Sequence, residues 1–423
     1  MMPHDGDGDE HGAADGGAAD GSSAAAAHSA RVREHLASAI NAAGGWLGFE
    51  RFMELALYAP GLGYYSGGAA KLGAGGDFTT APEVSRLFGA CVAVQCAEVL
   101  RGLGAGSVLE IGAGSGRLAV DLLGRLEALS QLPANYWILE VSADLRQRQR
   151  EHLEKRLPQL LHRVHWLDRP PEEAFDGVIL ANEVLDALPV ARFRWHPSAV
   201  EELGVEIREG TRVDASGETR GNARAQEFVW GARPANAAMR DICRELSEVG
   251  APVGAVWDDG YVSEYCPRLG AWTRAVTQSL RKGAVLWFDY GLPRAQYYLP
   301  ERHEGTLVCH FRHRLSADPF ANLGLQDISA WVDFTRVAEA SSESGFELAG
   351  FTTQAHFLAG LKIDQEMQLA AGGDANQFAR LANQARQLMM PGEMGERFKA
   401  MAWLRGLDMP LSGFALQDLR HSL

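Results

Sequence analysis

Val108-Leu109-Glu110-Ile111-Gly112-Ala113-Gly114-Ser115-Gly116 runs a short apolar strand into three glycines spaced two apart, and a helical pattern follows over Arg117–Leu129. Glycines let a backbone approach a ligand closely, and the unpaired N–H groups at a helix start favour a polar or anionic group. The spacing is G-x-G-x-G. Position 117 is Arg, where the dinucleotide fingerprint G-x-G-x-x-G places Gly. Alone, the segment reads equally well as an ordinary strand-to-helix turn, so its surroundings carry the argument.

Tyr136–Val141 and Ala143–Leu157 give a second strand and helix, Val164–Leu167 a third strand and Gly177–Ala181 a fourth. This alternation predicts βαβ units and an α/β fold with a mostly parallel sheet and helices on both faces. Glu140 ends the second strand, 24 residues after Gly116, where an acid can accept hydrogen bonds from both hydroxyls of a ribose. The fourth strand leads into Asn182-Glu183-Val184-Leu185-Asp186-Ala187-Leu188-Pro189. Ligands of doubly wound sheets sit at the carboxyl ends of strands, which places Asn182 and Glu183 beside the same ligand. On a helix, Glu183 and Asp186 would share a face. The plainer reading makes them capping or turn groups.

After Leu188 the rhythm loosens. It resumes with helix Arg268–Arg281 and strand Ala284–Tyr290, then Thr306–Phe311, a helix near 327–344 and a strand over Phe346–Gln354. Six segments are expected: a disordered acidic tail over 1–30, an N-terminal helical and lid segment over 31–105, the first half of the ligand-binding core over 106–189, an insertion subdomain of short strands and one helix over 190–262, the second half of the core over 263–355, and a helical C-terminal region over 356–423.

The tail holds Asp5, Asp7, Asp9, Glu10, Asp15 and Asp20 with no Lys or Arg, a composition too poor in apolar groups to offset ordering entropy. It resembles neither a secretory signal nor an Arg-rich presequence, so a cytoplasmic setting is expected. The whole chain of 423 residues carries 40 Lys and Arg against 54 Asp and Glu, a formal charge of −14. That balance disfavours nucleic acid as a partner, because phosphate contacts need clustered positive charge. No apolar run is long enough for a membrane span, so no membrane insertion is expected. Five scattered cysteines contain no C-x-x-C pair and fit free thiols. No metal-ligand spacing, nucleophile elbow or phosphate-binding P-loop is present, and no metal is expected.

Gly76-Asp77-Phe78-Thr79-Thr80-Ala81-Pro82-Glu83 is polar, glycine-bearing and helix-preceding, as a lid over a cleft would be. Read plainly, it is a helix N-terminus with Thr80 before Pro82 and Glu83 in the first turn.

E-x-G-x-G-x-G followed by an acid closing the second strand resembles the cofactor site of class I S-adenosylmethionine (SAM) methyltransferases, whose fold is Rossmann-like. That resemblance implies a SAM cofactor held by Glu110, Gly112, Gly114, Gly116, Glu140 and Asn182. Further motifs occur in order: Ala59-Pro60-Gly61-Leu62-Gly63-Tyr64-Tyr65, Gly76 to Glu83, Glu110 to Gly116, Ala181 to Pro189, Phe288-Asp289-Tyr290-Gly291 and Gln326–Phe334. From about residue 31 to the C-terminus the chain resembles the MidA-like family, whose mitochondrial members methylate an arginine of a respiratory complex I subunit during assembly. The resemblance implies a protein arginine methyltransferase with a protein substrate, and a bacterial cytoplasmic member rather than a mitochondrial one. A homodimer is one option for its oligomeric state.

An arginine acceptor is always protonated, and carboxylates orient its planar guanidinium. Glu183, Asp186 and Asp77, in that order, are the candidate catalytic carboxylates, with Phe78, Thr79 and Tyr65 as candidate substrate contacts. Where D-[IL]-T-A-H-V-D-F is expected, this chain has Ser329 and Trp331 in place of Thr and His. Competing readings are a non-catalytic SAM-binding assembly factor, a methyltransferase for a small molecule or RNA, and an NAD-dependent oxidoreductase, the last disfavoured by Arg117.

Overall fold

A computed structural model describes residues 16–67, 80–213, 219–249 and 257–423; the tail before Gly16 and the candidate residues Asp77, Phe78 and Thr79 lie outside them. The main sheet has eight strands, the short Val332–Asp333 beside β5 and a run of seven: β1 (Ser107–Ile111), β2 (Tyr136–Leu139), β3 (Val164–Leu167), β4 (Phe175–Asn182), β5 (Leu280–Leu292), β6 (Glu347–Thr353) and β7 (Phe398–Arg405). Their order is β3-β2-β1-β4-β5-β7-β6. The first five run parallel, while β7 lies antiparallel to both β5 and β6. The order reverses between β1 and β4, so a crevice forms above their carboxyl ends.

Side chains along β4 and β5 alternate between two cores. Val178, Leu180, Leu286 and Phe288 pack on one face, against helices α3 (Arg86–Leu103) and α4 (Arg117–Ala128). Ile179, Ala181, Val285 and Trp287 pack on the other, against α6 (Leu269–Thr277) and α7 (Phe334–Glu343). Helix α5 (Ala143–Arg156) joins β2 to β3, and Ser142 caps it by accepting the Leu145 N–H.

Several expectations are corrected. Helix α1 (Gly16–Ala42) starts inside the stretch expected to be disordered. Its Ala24–Ala27 run has the highest helix propensity available, and its second half is anchored by Val32, Leu36 and Ile40, each at most 1% exposed. The C-terminal region is not all helical. Gln354–Gly360, Ile363–Ala371 and Ala375–Met389 are helices, but Phe398–Arg405 is β7, slotted between two strands and buried on both faces. Its Ala, Met and Leu read as helix, and a strand buried on both faces shows no alternation to contradict that. The helix expected near 327 starts at Phe334, capped by Asp333; Asp327–Ser329 instead pairs with Val308–Phe311 and Val332-Asp333 with β5.

The insertion is built from long strands, not short ones. Ala199–Val213 and Thr219–Pro234 form an extended hairpin beside Ala191–His196 and Tyr261–Tyr265. Trp46–Gly48, from the N-terminal segment, joins the same sheet against residues 204–206. The N-terminal and inserted segments therefore share one sheet. This sheet packs on α2 (Phe49–Tyr58), whose last turn reaches the crevice at Tyr58.

Candidate active site

A cleft of about 610 Å³ opens at the carboxyl ends of β1, β2 and β4. The glycine turn forms one side. Gly112, Gly114 and Gly116 have φ of +66°, +54° and +79°, a region glycine enters without strain. A Cβ on Gly112 would stand 3.1 Å from Val184 Cγ2, and one on Gly116 3.2 Å from Gln149 Cα, so the turn also requires glycine for space.

Glu140 follows β2 and lines the cleft. Its carboxylate accepts the Ser142 N–H at 2.9 Å and Gln149 Nε2 at 3.2 Å, leaving lone pairs for further donors. Burial pushes its pKa up, against the opposing pull of those donors. Val141 and Leu145 add apolar surface beside it. Glu110 accepts the Tyr136 hydroxyl at 2.6 Å, and burial raises its pKa to about 7. Asn182 donates Nδ2 to Glu183 Oε1 at 3.1 Å, while its Oδ1 is buried with no partner among the described residues. A buried acceptor left open on a cleft wall is costly unless a ligand fills it.

Glu183 is the strained residue of the site. Its φ is +54°, sparsely populated by side-chain-bearing residues. Its Oε1 accepts the Ala81 N–H at 3.3 Å, and burial followed by the nearby Asp186 raises its pKa to about 8. The turn after it is held by Asp289, whose Oδ2 accepts the N–H groups of Val184, Leu185 and Asp186. Burial holds the Asp289 carboxyl well above the usual carboxylate range.

Asp186 sits apart from the cleft lining, beside Tyr290, Ser329 and Asp327, and burial raises its pKa to about 7. Asp327 accepts the Tyr65 hydroxyl at 2.9 Å. Tyr65 lines the cleft and stacks on Tyr58, with ring centroids 5.4 Å apart. Among the described residues no group of His, Cys, Asp and Glu suits a metal ion.

Glu83, in the short helix Ala81–Val84, reaches the glycine turn. Its carboxylate accepts the Ser115 hydroxyl and Arg117 Nη1, the latter at 3.2 Å. Arg117, which breaks the dinucleotide fingerprint, is therefore part of a clip. Trp331, where the family pattern has His, lies off the cleft lining, with its backbone N–H on Thr306 Oγ1 at 3.0 Å and Arg302 over its ring. Asp289 and Tyr58 were not singled out by sequence reasoning for any role. The available signal was Asp289's place at a strand end within Phe288-Asp289-Tyr290-Gly291.

A mostly parallel sheet with a glycine turn and a cleft where the strand order reverses between β1 and β4 is the architecture of the class I methyltransferase fold. A family model described as putative S-adenosyl-L-methionine-dependent methyltransferase matches residues 91–352, and the chain belongs to that family. The cofactor is SAM, and the chain is a SAM-dependent methyltransferase.

The chain is 41% identical to a Burkholderia thailandensis COG1565 superfamily member, a likely methyl transferase solved bound to S-adenosyl-homocysteine. Coverage is 94% of this chain and 98% of that one, with a TM-score of 0.84. It is 30% identical to the protein arginine methyltransferase NDUFAF7, mitochondrial, of Danio rerio, over 92% of this chain and 93% of that protein. It is 28% identical to the Homo sapiens NDUFAF7, over 84% and 79%. No helix among the described residues is long and apolar enough to cross a membrane.

Proposed function

We propose that the chain methylates an arginine side chain of a protein substrate, with a respiratory-complex subunit in the bacterial cytoplasm as the first substrate to test. SAM would be held by the Gly112–Gly116 turn, with Glu110 behind it, Glu140 accepting from the ribose and the open Asn182 Oδ1 accepting from its amino group. When bound, SAM supplies an electrophilic methyl carbon. The names of the mitochondrial relatives support an arginine acceptor.

The observation that carries the reading is Glu183, a half-buried residue on the cleft wall, next to Asn182, fixed in a left-handed backbone. Without a cation nearby it keeps its proton up to about pH 8. An entering guanidinium favours the ionised form, and the carboxylate then orients the guanidinium and balances its charge. Tyr65 offers an aromatic face to the cation. Phe78 and Thr79 from the lid stretch are further substrate contacts and Asp77 a second carboxylate. Asp186 acts from behind, through the turn that carries Glu183.

The test is methyl transfer from radiolabelled SAM into a lysate of cells lacking the gene, with the labelled residues identified by mass spectrometry. Methyl-arginine that appears with the wild-type protein and not with Glu183→Gln is expected. Label on another residue type or on a small molecule would replace the arginine reading. No label on any molecule would favour an assembly factor.

A further inference from the structure

Two half-buried tyrosines, Tyr58 and Tyr65, line the cleft, and the fold has already engaged both of their hydroxyls. Tyr58 donates to the carbonyl oxygen of Ala187 at 2.8 Å, and Tyr65 donates to Asp327 Oδ1 at 2.9 Å. Their rings stack with centroids 5.4 Å apart and planes 19° from parallel. The buried Tyr64 meets Tyr65 edge-on, with centroids 5.0 Å apart. With the hydroxyls committed, what the pair offers the cleft is ring surface.

Asp327 is buried in the short strand Asp327–Ser329 and is not part of the cleft lining. Both of its oxygens accept: Oδ1 from Tyr65, and Oδ2 from the Ser329 hydroxyl at 2.8 Å. Serine keeps here the hydroxyl that the expected threonine would supply. Asp327 can therefore act on the cleft only through Tyr65. The segment is also tied to the turn that carries Glu183, because the Ala330 N–H donates to the Asp186 carbonyl oxygen at 3.0 Å. Tyr58, through Ala187, is tied to the same turn. Both rings and Glu183 thus share one frame. A phenylalanine over an apolar side chain would fill this space without burying a carboxyl, which is costly to desolvate. What the hydrogen bond adds is a fixed ring orientation.

We propose that Asp327 is a positioning residue for the acceptor: it locks Tyr65 so that the stacked Tyr58 and Tyr65 form an aromatic wall for the flat cationic side chain of the protein substrate. A planar, weakly hydrated guanidinium gains by lying over such rings, and Glu183 in the same cleft supplies the carboxylate. That the wall receives a guanidinium rests on the arginine-methylation reading; the hold of Asp327 on Tyr65 is independent of it.

Fluorotyrosine placed at position 65 of the full chain, saturated with S-adenosylhomocysteine, reads the hold directly by fluorine NMR. A single sharp line is expected with Asp327 in place, a broadened one in Asp327→Ala, where the ring is released, and a sharp one again in Asp327→Asn, which keeps an acceptor for the hydroxyl. A line as sharp in Asp327→Ala as in its absence overturns the proposal. The functional arm titrates N-acetylarginine amide by calorimetry into the same complex without the label. Asp327→Ala is expected to bind it about two- to fivefold more weakly than the wild type, with S-adenosylhomocysteine affinity unchanged. Added to Tyr65→Phe, Asp327→Ala should cost nothing further, because both break one bond. Additive losses, or equal affinity in wild type and Asp327→Ala, overturn the proposal as well. Should Asp327→Ala fold poorly, Tyr65→Phe breaks the same bond from the ring side, and fluorophenylalanine at position 65 must then give the broadened line. Failure of the wild type to bind N-acetylarginine amide would remove the guanidinium from the wall, while the fluorine line still decides whether Asp327 holds Tyr65.

Discussion

The Asp289 carboxylate accepts the backbone N–H of Leu185 at 2.9 Å, and the same oxygen accepts those of Val184 and Asp186 at 3.2 and 3.3 Å. Three successive N–H groups converge on one atom only where the chain turns sharply. That turn follows Glu183, whose φ of +54° starts it. Asp289 follows Phe288, the last residue of β5 to pair with β4, opposite Asn182, so the sheet register itself brings the acceptor to the turn. We read Asp289 as a positioning residue for Glu183.

Asp289→Ala leaves three buried N–H groups without an acceptor and is expected to destabilise the fold by about 3 kcal/mol in urea unfolding. Asp289→Asn keeps an oxygen acceptor and should lose about 1 kcal/mol. In both, kcat should fall more than SAM affinity, because the turn moves and the glycine loop does not. Equal kcat in wild type and Asp289→Ala would leave Asp289 a purely structural role.

Glu183→Gln and Glu183→Gly separate chemistry from strain. Both should bind SAM as the wild type does and transfer methyl at least about 100-fold more slowly. Glu183→Gly also relieves a left-handed backbone that costs a side-chain-bearing residue about 1 kcal/mol, so it should unfold at higher denaturant than the wild type. Retained turnover in Glu183→Gln would sink the catalytic assignment.

Proton balance gives two opposite pH trends. Glu183, Glu110 and Asp186 hold protons to about pH 8, 7 and 7 in the fold because they are buried, while unfolded carboxyls ionise near 4. The folded state therefore binds more protons between those limits. Its stability is complete below the unfolded values and falls as pH rises towards 8. Thermal melting of the cofactor-free protein should show a lower Tm at pH 8 than at pH 5.5, with a shallower slope in Glu183→Gln. Affinity for a cationic acceptor should run the other way, rising with pH and levelling above about 8 as Glu183 ionises.

Gly114→Val places a β-branched residue at φ +54° in the glycine turn. The turn must distort, and SAM affinity is expected to fall by about 100-fold. Loss of the SAM-dependent rise in Tm reports it. A wild-type thermal shift in this variant would move the cofactor elsewhere.

Much of this was legible in the residues. Strands β1 to β4 announced themselves as short apolar runs between helical stretches, and the glycine spacing with Glu140 marked the end of the sheet where the cleft opens. Glu183 and Asn182 were found from their place after the fourth strand. Asp186 was grouped with Glu183 by assuming a helix. The chain instead makes a turn there, and three residues no longer bring two side chains to one face. Helical propensity hid β7, because Phe398–Arg405 is buried on both sides and its pattern carries no period.

Sequence alone determined the local chemistry: which turn is glycine-bound, which strand ends carry acids, and where helices begin at their caps. These follow from interactions within a few residues, whose cost and benefit are set by the backbone itself. Tertiary structure decided which distant groups meet. Asp289 reaches the 184–186 turn, Glu83 reaches Ser115, Tyr65 reaches Asp327, and Arg268 reaches Glu50 and Glu54. Those pairings depend on strand order and on the shared sheet of the N-terminal and inserted segments. Their formation is driven by burying two core faces at once, a condition no short window of sequence contains.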